Sequence, residues 1–419
     1  MLPIFKEYID FLNHKTNNGG VFLQEGKYWY DKSIIKAFDV DGNIVKVARI
    51  NVDDELNLTI KPYTKKLPQI ETWEDTVSRY NNELKELEKA STDLINNSLK
   101  KYDGRDFIVL SSGGKDSTVT NFLVKKCIDN PQVIFNNTSL DCADTYLYIK
   151  KEKNLTIINT NEGFYQWRNR INFIPTRFSR ACCGIFKEGA MIDYLDKDKK
   201  CLFFMGMRNQ ESVNRSSYGD EWKNLKWGSR EWDAILPVRK WSELQIWLYI
   251  LQNNIDVNSK YKKGYTRVGC AIACPYYTKS TWVLDEYWYP SMRKRWIDIL
   301  KEDFKKNNKD LIMNCTEDEY LTCWSGGIFR DEPTEEVIEQ FADRNNLNIE
   351  IARKYFGHKC VVCGKKIKHK DVIGMNMKFM GRNISDFYCK KHLLEGLKIT
   401  NSEWDCYLEQ FRCQGCELF

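Results

Sequence analysis

The residues best suited to chemistry lie in a glycine-rich stretch from Ser111 to Ser117, which reads SSGGKDS. A short apolar run, Phe107 to Leu110, precedes it and is typical of a buried parallel strand. Apolar residues at helical spacing follow it, so the pattern predicts a strand, a glycine turn and a helix. This arrangement points free backbone N–H groups at an anion, and Lys115 adds a positive charge. The alternative is an ordinary glycine turn.

The stretch lacks the G-x-x-x-x-G-K-[ST] pattern of a Walker A loop. It resembles the PP-loop, SGGxDS, of the ATP pyrophosphatase superfamily, whose members split ATP between the α and β phosphates and hold the leaving pyrophosphate in this loop. The resemblance implies ATP and Mg2+ as cofactors, with Lys115, Asp116 and Ser117 as catalytic candidates. It assigns nucleotide binding to the whole loop, Ser111, Ser112, Gly113, Gly114, Lys115, Asp116 and Ser117.

Strands and helices alternate from Asp106 to about Trp296. The alternation predicts an α/β fold with a doubly wound, mostly parallel sheet, which the PP-loop resemblance identifies as adenine nucleotide α-hydrolase-like. Ligands bind at the carboxyl ends of the strands in such sheets. Four residues follow predicted strand ends and are expected to face the nucleotide: Asn137, Thr138, Gly206 and Arg208. In the superfamily that the loop resembles, the first two positions lie beside the adenosine, and Arg208 is a catalytic candidate that neutralises phosphate charge.

Four later segments resemble, in order, those of the phosphoadenosine phosphosulfate (PAPS) reductase family, over about residues 105 to 300. They are the double-cysteine segment Arg180–Cys183 with Lys187, the G-x-R-x-x-E-S segment from Gly206, the segment Leu236–Trp247 and the cysteine segment Tyr261–Pro275. Family branches that carry all four cysteines hold a 4Fe–4S cluster. The resemblance assigns that cluster here to Cys182, Cys183, Cys270 and Cys274.

The second cysteine pair is C-x-x-x-C in this chain, where the family has C-x-x-C. This departure leaves Cys201, Cys315 and Cys323 as alternative cluster ligands. Buried free thiols are the alternative to any cluster, because cysteine is often buried without a partner.

The C-terminal region contains a second metal pattern, with Cys360 and Cys363 followed by Cys389 and His392. The C-x2-C…C-x2-H spacing predicts a tetrahedral Zn2+ site, similar to a zinc ribbon or an HNH-like knuckle, and a structural role for the metal. One further C-x-x-C pair, Cys413 and Cys416, lies beyond it. That pair is open to interpretation as a redox pair, extra metal ligands or spare thiols.

The chain is expected to comprise four parts. Residues 1–66 form a small β-rich module with a helix at its start and no catalytic signal. Residues 67–300 form the PP-loop, PAPS-reductase-like domain with a helical lead-in, residues 301–356 a helical segment, and residues 357–419 a zinc-ribbon-like module.

Composition narrows the class of protein. The formal net charge of +6 permits a polyanionic partner without requiring one. Fifteen cysteines in a reducing cytoplasm favour metal binding or catalysis over disulfides. No apolar run is long enough to cross a membrane and the start has no signal-peptide pattern, so a cytoplasmic protein without a membrane partner is expected. None of the four histidines lies between the PP-loop and the end of the central domain, which argues against a histidine base there.

A candidate nucleic-acid contact is the segment Glu221–Trp232, where aromatic and basic residues alternate in a predicted loop. Its aromatic residues would stack on bases and its basic residues would meet phosphates. They are Trp222, Trp227, Trp232, Lys223, Lys226 and Arg230. A lid packed over the nucleotide site is the alternative.

Three functions follow from these patterns. The first is an ATP pyrophosphatase that activates an acceptor oxygen by adenylation for sulfur transfer to nucleic acid, either DNA or tRNA. Within the family, the chain most resembles the DNA-phosphorothioation C branch. A cysteine desulfurase or another sulfur donor would be its partner. The second is a PAPS or adenosine phosphosulfate reductase. Such reductases use a cysteine near the C-terminus, and Cys416 resembles that cysteine weakly. The third is a non-catalytic nucleic-acid-binding adaptor.

Overall fold

The computed structural model describes residues 1–16, 23–64, 66–176, 181–196, 198–211, 219–223, 232–270, 272–312, 315–324, 335–349, 352, 359–367, 370–380 and 386–413. The chain divides into two compact units. The larger comprises Met1–Phe173 and Cys182–Lys294, and the smaller comprises Ile174–Ala181 and Arg295–Phe419. The division into four parts stays a prediction.

The first sheet of the larger unit is antiparallel and follows chain order. Its strands are β1 (Leu2–Pro3), β2 (Tyr28–Asp31), β3 (Ile34–Phe38), β4 (Ile44–Val52) and β5 (Leu58–Pro62). A turn at Asp41–Gly42 joins β3 to β4, where the Gly42 amide donates to the Asp39 carbonyl at 2.9 Å.

The second sheet carries the PP-loop. Its strands are β6 (Asp106–Leu110), β7 (Gln132–Asn136), β8 (Leu155–Ile158), β9 (Cys201–Met205), β10 (Glu221–Trp222) and β11 (Trp232–Ile235). The strand order is β10-β11-β9-β6-β7-β8, and every pairing is parallel except that of β10 with β11. Val109 of β6 lies opposite Phe204 of β9, and both are fully buried. The predicted mixed α/β fold with a parallel sheet is confirmed.

The helices, in chain order, are α1 (Lys6–Thr16), α2 (Trp73–Lys101), α3 (Lys115–Lys125), α4 (Ala143–Ile149), α5 (Phe164–Ile171), α6 (Ala181–Cys183), α7 (Ala190–Tyr194), α8 (Glu243–Gln252), α9 (Ser259–Lys262), α10 (Lys279–Trp288), α11 (Pro290–Lys306), α12 (Lys309–Ile312), α13 (Glu317–Cys323), α14 (Glu335–Arg344), α15 (Lys370–Met380), α16 (Lys390–Leu397) and α17 (Asn401–Cys413). A π-helical stretch, Gly184–Gly189, joins α6 to α7. Among the described helices, none has the length and apolar composition needed to cross a bilayer.

The two sheets of the larger unit share one hydrophobic core. The indole of Trp73, at the start of α2, donates to the Tyr28 carbonyl at 3.3 Å. On α1, Tyr8 packs so closely on Gly264 that a Cβ at residue 264 would lie 2.3 Å from its ring. Glycine is therefore required there, and the first helix reaches the segment that follows α9.

The smaller unit has its own apolar cores. One contains Ile338, Phe341 and Ala342 of α14 together with Ala352. The other joins α15, α16 and α17 and includes Met375, Leu393 and Trp404. Asn376 is fully buried and accepts a hydrogen bond from the Tyr388 amide at 2.8 Å, which fixes the chain just before Cys389.

Candidate nucleotide and metal sites

The PP-loop closes on itself between β6 and α3. The Ser117 hydroxyl donates to the Gly114 carbonyl at 2.9 Å and accepts from the Ser112 amide at 3.3 Å. The Ser111 hydroxyl accepts from the Gly113 amide at 3.3 Å. Because α3 begins at Lys115, its first backbone amides lie in this loop, where a helix N-terminus favours anions.

Gly206 fixes the position of the loop from the neighbouring strand. It follows β9, the parallel neighbour of β6, and a Cβ at residue 206 would lie 2.5 Å from the Asp116 carbonyl carbon and from the Ser117 amide. Only glycine permits this approach. The predicted strand-end residue therefore contacts the loop backbone directly.

Two buried cations and two carboxylates meet at the loop. The Lys115 ammonium lies 3.2 Å from Asp116 Oδ2 and 3.4 Å from Glu243 Oε1. Arg208 is 5% exposed, and its Nε lies 2.5 Å from Asp116 Oδ1. The structure thus brings the predicted residues Lys115, Asp116 and Arg208 together, and Glu243 supplies the second carboxylate of the set. An incoming phosphate has two positive groups to bind.

The pKa values of this set reflect its mutual attraction. Burial favours the neutral form of Lys115, but Tyr261, Asp116 and Glu243 outweigh burial and raise the pKa of Lys115. Burial alone would raise the pKa of Glu243, yet the Lys115 ammonium and the amino terminus lower it to about 2. Both groups are therefore charged at neutral pH.

Three polar residues at the loop were missed in the sequence analysis as site residues. Tyr261, from α9, accepts a hydrogen bond from the Lys115 amide at 2.9 Å. Asn258 is fully buried beside Gly113 and donates to Thr145 at 3.1 Å. Glu243 is the third. The Ser242–Gln245 capping box signals the start of α8 but gives no sign that Glu243 lies near Lys115.

The adenosine candidates Asn137 and Thr138 follow β7. The Thr138 hydroxyl donates to Asp141 Oδ2 at 2.7 Å, and burial raises the pKa of Asp141. The Asn137 side-chain amide donates to Asn159 at 2.6 Å, and its oxygen accepts from Tyr146 at 2.5 Å. These bonds fix both side chains at the carboxyl edge of the sheet.

Three of the four cluster candidates, Cys183, Cys270 and Cys274, lie near Lys187. The hydrogen bond with Cys183, burial and the nearby thiols of Cys270 and Cys274 raise the pKa of Cys182. The Lys187 ammonium interacts with Cys270, Cys183 and Cys274, and these contacts raise its own pKa despite burial. Among the described residues these thiols do not converge as closely as the ligands of one ion do. Thiolates are the ligands that hold iron–sulfur clusters, so the donor type at this site fits such a cluster.

The alternative ligands are not equivalent to these four. Cys201 begins β9, at the end of the sheet away from Gly206, and is fully buried in an apolar core. The proposal that Cys201 replaces a cluster ligand is therefore wrong. Cys315 lies in the smaller unit, whereas the four candidates belong to the larger one. The side chain of Cys323 lies outside the described residues.

The C-terminal quartet converges on one point. The ligand atoms of Cys360, Cys363, Cys389 and His392 lie within 4.8 Å of one another. His392 Nδ1 lies 3.2 Å from Cys360 Sγ and 3.3 Å from Cys389 Sγ. Burial favours the Cys360 thiol, but backbone amides of Cys389 and Cys363 outweigh it and lower the pKa of Cys360 to about 6. Thiolate sulfur and imidazole nitrogen at this spacing are a donor set that zinc accepts. Cys416 lies outside the described residues.

The proposed aromatic–basic loop is partly wrong. Glu221 and Trp222 form β10, and Trp232 begins β11. Trp232 is fully buried, packs against Phe203 and donates to the Lys199 carbonyl at 3.0 Å, so it is not available to stack on bases. The alternation of aromatic and basic residues gave a wrong prediction for Trp232, because β11 places its side chain in the core. Trp227, Lys226 and Arg230 lie outside the described residues.

A parallel sheet with a glycine loop after a central strand and a buried lysine at the loop are the features of an α/β domain of the PP-loop class. Residues 106–275 match the phosphoadenosine phosphosulfate reductase domain. Residues 106–275 are therefore a PAPS reductase domain, and the resemblance that the sequence motifs predict is confirmed for this part of the chain.

Individual relatives differ in how much they share. An uncharacterised protein of Methanocaldococcus jannaschii is 30% identical over 269 residues, which are 62% of this chain and 63% of that relative. The match thus spans less than two thirds of the relative's length. An adenosine 5'-phosphosulfate reductase of Lysinibacillus sphaericus is 21% identical over 218 residues, 49% of this chain and 87% of the reductase. The crystal structure of a PAPS reductase from Candida auris has a TM-score of 0.34 at 15% identity, covering 46% of this chain and 93% of that chain.

Proposed function

We propose that this protein cleaves ATP to AMP and pyrophosphate and uses the AMP group to activate an acceptor oxygen for replacement by sulfur. The observation that carries the proposal is the loop itself, with Lys115 and Arg208 buried beside it and held by Asp116 and Glu243. The substrate of a sulfonucleotide reductase carries a sulfur that is already activated. An intact pyrophosphate-binding loop instead suits a protein that must activate its own substrate with ATP.

The chemistry has two steps. The acceptor oxygen attacks the α-phosphorus of ATP, the bond from that phosphorus to the bridging oxygen breaks, and pyrophosphate leaves. A sulfur nucleophile then displaces AMP, which takes the acceptor oxygen with it. The loop amides, Ser112 and Ser117 would bind the leaving pyrophosphate, while Lys115 and Arg208 would offset its developing charge. Asp116 would orient both cations or a Mg2+ ion that accompanies ATP.

The cysteine group would serve the second step. Cys182, Cys183, Cys270 and Cys274 would hold a 4Fe–4S cluster, and the cluster would bind or orient sulfur. Lys187 lies among three of these thiols, so it would offset negative charge there. In the smaller unit, Cys360, Cys363, Cys389 and His392 would hold a structural Zn2+ ion. The acceptor that we propose is a nucleic acid, and a cysteine desulfurase is a suitable sulfur donor.

The test is product analysis with anaerobically purified full-length protein, ATP and Mg2+, with and without DNA or tRNA. We expect AMP and pyrophosphate, with turnover stimulated by the acceptor polymer. Lys115→Ala should abolish the cleavage, and Lys125→Ala should not, because the Lys125 side chain is partly exposed and pairs with Glu152. Cleavage that survives in Lys115→Ala would refute the proposed role of the loop.

A second candidate is reduction of a sulfonucleotide, which is favoured by the match to an adenosine 5'-phosphosulfate reductase. In that reaction a thiolate attacks the sulfate sulfur and AMP leaves, after which a reduced thiol donor releases sulfite. Sulfite release from adenosine phosphosulfate with thioredoxin, lost in Cys416→Ser, would establish this function. Absence of sulfite together with pyrophosphate release from ATP would favour the first.

A further inference from the structure

Residues 359–398, which we name the Cys/His module, are a strongly basic segment of this chain. This segment contains nine lysines and one arginine against three acidic residues, a surplus of seven. The formal net charge of the entire chain is +6, so the remaining residues are close to neutral in total. A dense basic segment of this kind is the electrostatic signature of a surface for a polyanion.

The charge is densest at the knuckle that carries the first two metal ligands, residues 359–366. Lys359 and Lys366 are opposite each other in an antiparallel bridge, and the Cys360 amide donates to the Lys365 carbonyl at 2.9 Å. Like charges directly opposite on paired strands repel, and an anion that contacts both side chains would relieve the repulsion. The converging Cys/His ligands hold the lysines in place.

The tip of the same knuckle exposes two aliphatic side chains. Val361 is 53% exposed and Val362 is 60% exposed, and Lys365 beside them is also exposed. Two valines are far too small for the roughly 800 Å2 that each partner buries in a stable protein–protein interface. They are large enough to contact a sugar or a base edge between phosphates that the lysines bind.

Two lysines of α16, Lys390 and Lys391, make long ion pairs. On α16, Lys390 lies 3.9 Å from Asp405, and Lys391 lies 4.0 Å from Glu395. Both distances are at the limit of an ion pair, and both lysines are substantially exposed. Across the described part of the chain, no carboxylate lies within ion-pair distance of Lys359 or Lys365.

We propose that the 359–366 knuckle of the Cys/His module is a docking surface for the phosphate backbone of a nucleic acid. This inference deepens the proposed function by locating the contact with the acceptor. It replaces the segment Glu221–Trp232, in which Trp232 is buried, as the primary candidate. The binding is mainly electrostatic, so it requires no particular base sequence.

The test is fluorescence anisotropy of the full-length, metal-loaded protein with a labelled 30-base-pair DNA duplex and with tRNA, at several salt concentrations. The variant is Lys359→Gln/Lys365→Gln/Lys366→Gln. The matched control is Lys61→Gln/Lys85→Gln/Lys89→Gln, three exposed lysines of the larger unit. We expect the knuckle variant to bind at least about tenfold more weakly and to lower the slope of log Kd against log salt by about 2 to 3. The control should bind as the unmodified protein does.

Several outcomes would overturn the proposal. Unchanged affinity and salt slope in the knuckle variant would do so, as would equal losses in the control. Tighter binding to phosphatidylserine vesicles than to either nucleic acid would reassign the surface to a membrane. Metal content and thermal unfolding establish that the variant is folded, and the single variant Lys365→Gln provides a milder change if it is not. ATP cleavage measured without nucleic acid should be unaffected, so failure here is distinct from failure of the proposed ATP chemistry.

Discussion

The Tyr261 hydroxyl accepts a hydrogen bond from the Lys115 backbone amide at 2.9 Å, although the two residues are 146 positions apart. Both residues are buried. The amide is one of those at the start of α3 that have no partner within the helix. Tyr261 therefore supplies the hydrogen-bond acceptor that this amide lacks within its own helix.

Tyr261→Phe should weaken the loop by removing this acceptor. An unsatisfied buried amide costs about 1 to 3 kcal/mol, so the free energy of unfolding of the ligand-free protein should fall by that amount. Chemical denaturation measures it, with Tyr63→Phe as control because Tyr63 is 48% exposed. An unchanged free energy of unfolding would show that the hydroxyl is not the acceptor of this amide in solution.

Gly206→Ala should displace the PP-loop. The added methyl group would lie 2.5 Å from backbone atoms of Asp116 and Ser117, so strand or loop must move. We expect a loss of about 1 to 3 kcal/mol in stability, as for overpacked cores, and a weaker affinity for ATP. Calorimetric titration and thermal unfolding measure the two effects. Gly396→Ala is the matched control, since nothing lies within 4 Å of a Cβ there. Equal ATP affinity in Gly206→Ala would contradict the contact.

Cys363→Ser should release the metal from the C-terminal quartet. Zinc needs deprotonated sulfur ligands, and a hydroxyl is a poor substitute. Elemental analysis after dialysis against a chelator should show about one zinc fewer per chain than in the parent protein. Amide hydrogen exchange should increase in α16. Cys406→Ser is the control, because Cys406 is exposed and outside the quartet. Zinc retained in Cys363→Ser at the parent level would exclude this residue as a ligand.

Asp285 should make stability depend on pH in the acidic range. Burial raises its pKa to about 6, even though a hydrogen bond from Tyr265 at 2.7 Å and the Lys260 ammonium oppose the rise. The folded state thus prefers the protonated carboxyl. Stability should fall as the pH rises from about 4 to about 6, by a few kcal/mol in total, and then level off.

Asp285→Asn tests this dependence, because the amide does not titrate. The difference in free energy of unfolding between parent and variant should change between pH 4 and pH 6 and be constant above that range. Glu286→Gln, an exposed neighbour, is the control. A difference that is flat across the acidic range would show that Asp285 does not titrate as the structure indicates.

Sequence patterns predicted the strand and the metal-ligand set that depend on residues close together in the chain. The run Phe107–Leu110 was predicted as a strand and lies in β6, because a buried parallel strand is a short apolar run between polar turns. The Cys360–His392 quartet was recognisable because its metal ligands occur in two short, regularly spaced pairs.

Contacts between distant segments were not predictable in this way. Glu243 begins a helix far along the chain from Lys115, and no local pattern indicates their 3.4 Å separation. The Trp232 prediction failed for a related reason. Residue spacing alone does not show on which face of a sheet an aromatic side chain lies, and strand pairing decides that.

The close packing of Tyr8 on Gly264 has a consequence for how this protein loses structure. Gly264 lies shortly after Tyr261, whose hydroxyl accepts the hydrogen bond from the Lys115 amide of the PP-loop. Tyr8 belongs to the same core as the first sheet. Unravelling the first 60 or so residues would therefore remove the support behind the nucleotide loop. The amino-terminal sheet and the ATP site should therefore unfold cooperatively. Destabilising substitutions in that sheet should also lower the affinity for nucleotide.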